Sequence, residues 1–224
     1  MSKSGFGPGT LRFLKELRRH NDREWFHANR ARYEEHCLEP ARGFVAALGE
    51  RLADLMPEVR YEPKVNGSIL RQARDARFAP KDKPYQEQLV LRFWSGATPR
   101  AGPLFWFRLG DRTLRFAAGI HTFSARELPA YRAALLDDER SVALGEILGT
   151  MRRRKYAWDE PHYKRVPDGM PADHPCADLL RHKGLLVHRD IPPPKDLGSR
   201  RFVTACANRF VALAPLFAWL DDLV

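Results

Sequence analysis

The sequence lacks several features that would assign a location or a function directly. It has no apolar run of about 18 residues or more, so no segment is long enough for a typical transmembrane helix. Its first twenty residues become charged and amphipathic before an apolar signal core can form, which is not the pattern of a secretory leader. We therefore expect a cytoplasmic protein without a membrane partner.

Cysteine and histidine are arranged in ways that argue against metal or disulfide chemistry. The three cysteines, Cys37, Cys176 and Cys206, are far apart and form no C-x-x-C pair, which favours a reducing compartment over a disulfide framework or a zinc ribbon. The eight histidines show no metal-ligand spacing, and Asp173–Cys176 is too compressed for a tetrahedral set. The sequence predicts no metal site.

Motifs of the common nucleotide-binding and hydrolase folds are also missing. The chain contains no Walker loop, no G-x-G-x-x-G and no G-x-S-x-G nucleophile elbow. We therefore expect no cofactor, and the sequence reveals no reaction, so whether the protein is an enzyme stays open.

Arginine is abundant and unevenly distributed. Lysine and arginine total 38 and the net charge is +10. Between residues 71 and 115 there are ten basic and four acidic residues, an excess of six, which is over half of the net charge. Codon usage in a GC-rich genome would explain the arginine bias without function. Forked recognition of phosphate or carboxylate, which arginine performs better than lysine, would explain it functionally.

Hydrophobic spacing predicts a single α+β domain over residues 1–224. A central antiparallel β-meander would be packed by N-terminal, middle and C-terminal helices. The expected parts are a helical region at 5–57, a motif loop and meander at 66–122, helices at 124–155, and an irregular segment, strand and C-terminal helix at 156–224.

Local signals place the boundaries of the helices. Thr10 is expected to cap the first helix, Asp22 to start the second, and Pro40 to occupy the first position of the third. Ser124 and Glu127 form a capping box before the middle helices. The last helix is expected to begin after Ser199 and to run to the C-terminus.

Runs of aromatic and branched residues predict the strands. The meander is expected at Leu89–Trp94, Leu104–Leu109 and Leu114–Ile120, and a further strand at Gly184–Ile191. In the middle strand, large side chains occupy the positions that face one side of the sheet and also those that face the other side. We therefore expect that strand to be central and covered on both faces.

The most unusual stretch is Ser68–Tyr85. It gathers five cations around three further functional side chains: Arg71, Arg74, Arg77, Lys81 and Lys83 around Asp75, Asp82 and Tyr85. In an extended chain Asp75 would share a side with Arg71 and Arg77 and could hold a neighbouring guanidinium. The other arginines would then face an anion. Pro80 and Pro84 stiffen the loop and prevent it from continuing as a helix.

This stretch resembles a family of conserved hypothetical proteins, domain of unknown function 2461. Its members carry a Trp-Phe pair in a helical N-terminus, an Arg-Asp-x-Arg-Phe…Asp-Lys…Pro-Tyr motif, an Ala-Gly strand pair and a late Lys-Arg-x-Pro-x-Gly segment. This chain has all four, as Trp25-Phe26, Arg74–Tyr85, Ala118-Gly119 and Lys164–Gly169.

One departure from the family pattern affects the motif. Lys83 directly precedes Pro84, and Gln86 replaces a basic residue, so the match at Asp82 and Lys83 is weaker than at Arg74. The resemblance covers roughly residues 6–220 and implies a fold and a functional region. It implies no activity.

Three functions are compatible with these residues. In the first, the protein binds a phosphate-bearing or other anionic ligand, which Arg71, Arg74 and Arg77 grip while Asp75 orients them and Tyr85 or Lys164 closes the site. Asp82, Lys83 and Arg165 complete this predicted set. In the second, the same basic surface binds nucleic acid. In the third, the protein is a structural or interaction module whose ion pairs only stabilise the fold. The oligomeric state is not predicted.

Overall fold

The computed structural model describes residues 5–75, 77, 80, 82–99 and 102–223. Its helices are α1 Pro8–Arg19, α2 Arg23–Ala28, α3 Arg30–Tyr33, α4 Glu39–Leu55, α5 Glu127–Leu136, α6 Asp138–Arg153, α7 Ala177–Leu180, α8 Arg200–Val211 and α9 Ala214–Asp221. A π-helical turn, Glu34–Leu38, joins α3 to α4. The strands are β1 Leu89–Trp94, β2 Leu104–Leu109, β3 Leu114–Ile120, β4 Ala157–Trp158 and β5 Leu185–Ile191. The predicted α+β class is confirmed.

The five strands form one antiparallel sheet in the order β1-β2-β3-β5-β4. The first three are the predicted meander, with the expected bounds, because turns containing glycine separate the aromatic-rich runs. β5 pairs with β3 along its whole length. β4 has only two residues and lies in the segment that the sequence predicts to be irregular.

One face of the sheet forms the hydrophobic core with the helices. Phe105 and Phe107 of β2 are fully buried on this face. The ring centroid of Phe107 lies 4.9 Å from that of Phe44 in α4, and Phe105 stacks on Phe217 of α9 at 4.3 Å. Phe210 of α8 packs at 5.2 Å from Phe105. These aromatic contacts fix the helices on the sheet.

The opposite face, which we call the outer face, carries aromatic and charged side chains. The outward-facing residues of β2 are Leu104, Trp106 and Arg108, and all three are half-buried. Their cross-strand neighbours form three rows: Trp94, Gly119 and Leu186 beside Leu104; Arg92, Ala117 and His188 beside Trp106; Val90, Arg115 and Asp190 beside Arg108. β2 lies inside the sheet, between β1 and β3, while β3 is the central strand. The expectation that both faces of β2 are covered is wrong, because only its core-facing set is fully buried.

Backbone outside the strands pairs with the free edge of β1. Arg60 forms a bridge with Trp94, and Ile69 forms one with Leu91. The amide of Leu70 continues this pairing by donating to the carbonyl of Val90 at 3.0 Å. The edge at the other end of the sheet is the short strand β4.

Three of the predicted helix starts are confirmed and two are wrong. Ser199 caps α8 by accepting from the amide of Phe202 at 3.0 Å, whereas α4 begins at Glu39, so Pro40 is its second residue rather than its first. Asp22 caps α2 by accepting from the amide of Trp25 at 2.7 Å, and the capping box joins Ser124 and Glu127. Helix α1, however, begins at Pro8, with Gly7 as the capping residue. Thr10 is the third residue of the helix, where its hydroxyl accepts from the amide of Gly7 at 3.2 Å and donates to the carbonyl of His36 at 2.6 Å.

The C-terminal helix is divided into α8 and α9. Pro215 lies in the first turn of α9, where its missing amide hydrogen costs no helical bond, so the chain bends there by 48°. No single helix in the described residues is long and apolar enough to span a membrane. The bent pair passes that test by length and composition, but its aromatic residues, including Phe202 and Phe217, are buried in the core.

Candidate functional site

The described residues 72–75 and 82–86 form two antiparallel arms before β1, and together with residues 77 and 80 we call them the motif hairpin. Its two arms pair near the base, where Ala73 bridges Tyr85. The amide of Arg74 donates to the carbonyl of Pro84 at 2.8 Å. Lys81, one of the five cations of the sequence motif, lies outside the described residues. The hairpin therefore brings the two ends of the sequence motif together through backbone hydrogen bonds.

Tyr85 attaches the motif hairpin to the N-terminal helices. The side-chain amide of Asn21 donates to the carbonyl of Tyr85 at 3.0 Å and accepts from its backbone amide at 2.9 Å. The Tyr85 ring stacks on Phe26 with centroids 4.0 Å apart, so the Trp-Phe pair and the arginine motif meet here. Arg74 Nε also donates to the Tyr85 carbonyl, at 2.8 Å. Arg74 and Tyr85 thus hold the hairpin in place.

The charged residues at the hairpin tip form ion pairs with one another. Arg77 donates two side-chain hydrogen bonds to Asp75, at 2.6 and 3.0 Å, and its backbone amide donates a third at 3.0 Å. These bonds lower the pKa of Asp75 to about 2. Lys83 pairs with Glu87 at 3.0 Å. Asp75 therefore holds a neighbouring guanidinium, as its spacing predicts, whereas Arg71 and Asp82 are simply exposed.

Lys164 and Arg165 lie in a different part of the fold. Both are exposed, and the carbonyl of Lys164 accepts a hydrogen bond from Arg181 at 3.2 Å. Their segment follows β4, whereas the motif hairpin extends from β1, at the other edge of the sheet. The four steps between these strands span roughly 19 Å. Within the described residues no hydrogen bond or ion pair joins these two cations to the hairpin.

A second charged cluster, which the predicted site does not include, lies on the outer face. Arg115 forms a two-pronged ion pair with Asp190, at 2.6 and 2.7 Å. Arg108 stands directly opposite Arg115 on the neighbouring strand. In the part of the chain that the structure describes, no hydrogen bond or ion pair holds the Arg108 guanidinium. Its nearest aromatic neighbour is Trp106, whose ring centroid is 5.7 Å away.

The titration behaviour of this cluster follows from its geometry. Burial lowers the pKa of Arg108, and the like charge of Arg115 lowers it further. The ion pair has the opposite effect on its members: it raises the pKa of Arg115 and lowers the pKa of Asp190. Burial also lowers the pKa of His188, which is therefore neutral at pH 7. Arg108 keeps its charge, because a guanidinium titrates far above neutral pH.

Buried ring nitrogens without partners collect around the same cluster. Trp94 Nε1, Trp106 Nε1 and His188 Nδ1 are all on the outer face and lack a hydrogen-bond partner among the described residues. Buried polar atoms are normally paired, so such exceptions are unfavourable for stability and often mark functional positions. The alternation of Leu104, Trp106 and Arg108 in the sequence is the one local signal that could have revealed this surface.

Two other kinds of site receive less support. Within the described ranges no group of three or more His, Cys, Asp or Glu side chains is arranged to hold a metal ion. A cleft of about 510 Å³ lies between α6, α8 and α9, and its polar lining includes Glu146, Thr150, Arg154 and Asn208. None of the predicted site residues lines this cleft.

A family model described as conserved hypothetical protein (DUF2461) matches residues 9–219. The chain belongs to this family. The match covers the motif hairpin and every strand of the sheet, so both clusters fall within the DUF2461 region. No curated protein matches the chain. Because the family description gives no activity, the function of this DUF2461 chain has to be argued from its residues.

Proposed function

We propose that this DUF2461 protein binds a phosphate- or carboxylate-bearing ligand on the outer face of its sheet, with Arg108 as the principal contact. The observation that carries the proposal is the half-buried Arg108, whose guanidinium forms no ion pair or hydrogen bond in the described residues. A partly desolvated charge without a direct partner is unfavourable for stability. An anionic ligand would supply the missing partner.

The surroundings of Arg108 suit such a ligand. Arg115 adds a second guanidinium directly across the strand pair, and Asp190 holds it in a fixed orientation. Guanidinium groups bind carboxylate and phosphate through two parallel hydrogen bonds, which gives orientation as well as affinity. The cluster lies on regular strands rather than on a loop, so its geometry is fixed before the ligand arrives.

The motif hairpin remains a second candidate for the same function. Arg77 and Lys83 of the hairpin and the adjacent Arg71 are exposed, which supports contact with an anion. Arg77 pairs with Asp75 and Lys83 pairs with Glu87. Arg71 has no ion pair among the described residues, but it is exposed to water, so its charge needs no ligand as a partner. We therefore assign Arg74 and Tyr85 an anchoring role.

A thermal-shift screen of the purified protein tests the proposal. The panel contains nucleotides, sugar phosphates, carboxylates and short oligonucleotides. A ligand at 100 times its Kd contributes about 2.7 kcal/mol, which raises the midpoint by roughly 5–10 °C for a chain of this size. Arg108→Ala should abolish the shift. Arg112→Ala, which removes the same charge from a side chain that is 76% exposed, should leave it unchanged.

Other outcomes redirect the assignment. A shift that survives Arg108→Ala but disappears in Arg71→Ala would move the site to the motif hairpin. Binding of oligonucleotides that weakens steeply with salt would favour nucleic acid, because each phosphate contact releases counterions. If no member of the panel shifts the midpoint while Arg74→Ala destabilises the fold, the protein is better described as a structural or interaction module.

A further inference from the structure

The charges around Arg108 limit how much negative charge a ligand can bring. Arg108 and Arg115 contribute two positive charges, and Arg92 adds a third from the neighbouring row of the outer face. Asp190 and Asp159 contribute two negative charges, which leaves one net positive charge, and Asp190 already occupies the fork of Arg115. Only the fork of Arg108 is left for a ligand. One negative charge is enough to complete the cluster.

A second negative charge on the ligand would gain little here. Its attraction to the two arginines would be offset by repulsion from Asp190 and Asp159, while removing it from water would still be unfavourable. His188 does not change this balance at pH 7.5, because burial keeps it neutral. The electrostatics therefore favour an acid group with a single charge.

The outward-facing residues next to Arg108 on its own strand, β2, are apolar. Trp106 and Leu104 follow it along β2 towards the far end of the sheet, and both are half-buried on the outer face. The guanidinium carbon of Arg108 already lies over the Trp106 ring, 5.7 Å from the ring centroid. Planar groups stack well on both indole and guanidinium faces. A flat, apolar ligand body next to the acid group would therefore cover this surface.

We propose that the ligand is a singly charged acid, a carboxylate or a phosphodiester, attached to a planar ring. The acid group binds the Arg108 fork, and the ring lies against Trp106. This inference rests on the proposed function, since it specifies the ligand of the same site.

Matched probes separate the two parts of the inference. Calorimetric titration at pH 7.5 would compare 2-naphthoate, methyl 2-naphthyl phosphate and 2-naphthyl phosphate, which share one ring and differ in the acid group. Acetate and inorganic phosphate supply the acid group without the ring. We expect the two singly charged naphthyl probes to bind about tenfold more tightly than the doubly charged one, a difference of about 1.4 kcal/mol. Both should bind more tightly than acetate.

Two variants locate the binding. Arg108→Ala should remove binding of all probes, with Arg108→Met as the alternative if the alanine variant fails to fold. Trp106→Leu should reduce the advantage of 2-naphthoate over acetate while acetate binding is unchanged. If inorganic phosphate or 2-naphthyl phosphate binds best and needs Arg108, the inference is overturned but the proposed function stands. If no probe binds in an Arg108-dependent way, both fail.

Discussion

Replacing Asn21 by alanine should loosen the motif hairpin from the N-terminal helices. The Asn21 side chain is buried and makes both of its hydrogen bonds to the backbone of Tyr85, at 2.9 and 3.0 Å. Alanine removes both bonds and adds no group that could replace them. The Tyr85 carbonyl still accepts from Arg74 Nε, but the Tyr85 amide loses its partner in a buried position.

The size of the stability loss follows from this difference between the amide and the carbonyl of Tyr85. A buried amide left without a partner reduces the free energy of unfolding by about 1–3 kcal/mol, and the lost bond to the carbonyl adds about 1 kcal/mol. We expect a total of about 3 kcal/mol. At about 3 °C per kcal/mol for a chain of this length, the Tm should fall by about 9 °C.

Urea and thermal unfolding measure the effect, with two variants as references. Asn21→Asp keeps an oxygen that can accept from the Tyr85 amide, but its other oxygen would face the Tyr85 carbonyl in a buried position, so it should also be destabilising. Asn208→Ala changes an exposed asparagine in α8 and should stay within about 0.5 kcal/mol of wild type. If Asn21→Ala is no more destabilising than Asn208→Ala, the anchoring role is refuted.

Three further predictions concern other parts of the chain. Gly119 has φ +133°, and a Cβ there would lie 2.0 Å from a carbonyl oxygen of β5. Gly119→Ala should therefore lower the free energy of unfolding by about 3 kcal/mol. Gly145→Ala, at a helical position with open space around it, should raise it by about 0.5–1 kcal/mol in the same unfolding assay. Arg108→Met should raise the free energy of unfolding by about 1 kcal/mol, because it removes an unpaired half-buried charge, and a clear loss of stability in urea would contradict that account. Asp75 should titrate by NMR with a pKa of about 2 and move towards about 3.9 in Arg77→Ala. Because the pKa of Asp75 is depressed in the folded state, the Asp75–Arg77 pair should contribute to stability above about pH 4 and lose that contribution as the pH falls towards 2. An unchanged Asp75 titration in Arg77→Ala would argue against this pair.

The parts of the fold that sequence predicts best are those set by neighbouring residues. The three strands of the meander have the expected bounds because each is flanked by its own turn signals. Asp22 caps α2 through a residue three positions away. Thr10 shows the limit of such signals. It contributes to the first turn from the third helical position, and its hydroxyl also binds a carbonyl 26 residues distant.

The candidate site depends on contacts that the sequence does not encode locally. The motif residues Arg74 and Tyr85 are identifiable from their pattern, but their anchoring role depends on Asn21, 64 residues from Tyr85. The Arg115–Asp190 pair joins residues 75 positions apart across β3 and β5. Only the pairing of these strands shows that Arg108 lacks a partner of its own.

The two edges of the sheet differ in how they would meet another chain. The backbone of β1 is already paired with Arg60 and Ile69, and β4 has a free edge of only two residues. Exposed strand edges are the usual starting points for sheet growth between molecules. The segment at 60–70 therefore protects the edge of β1 from pairing with a second molecule. Loss of that segment would expose β1, a strand of large apolar residues, and favour self-association of the protein.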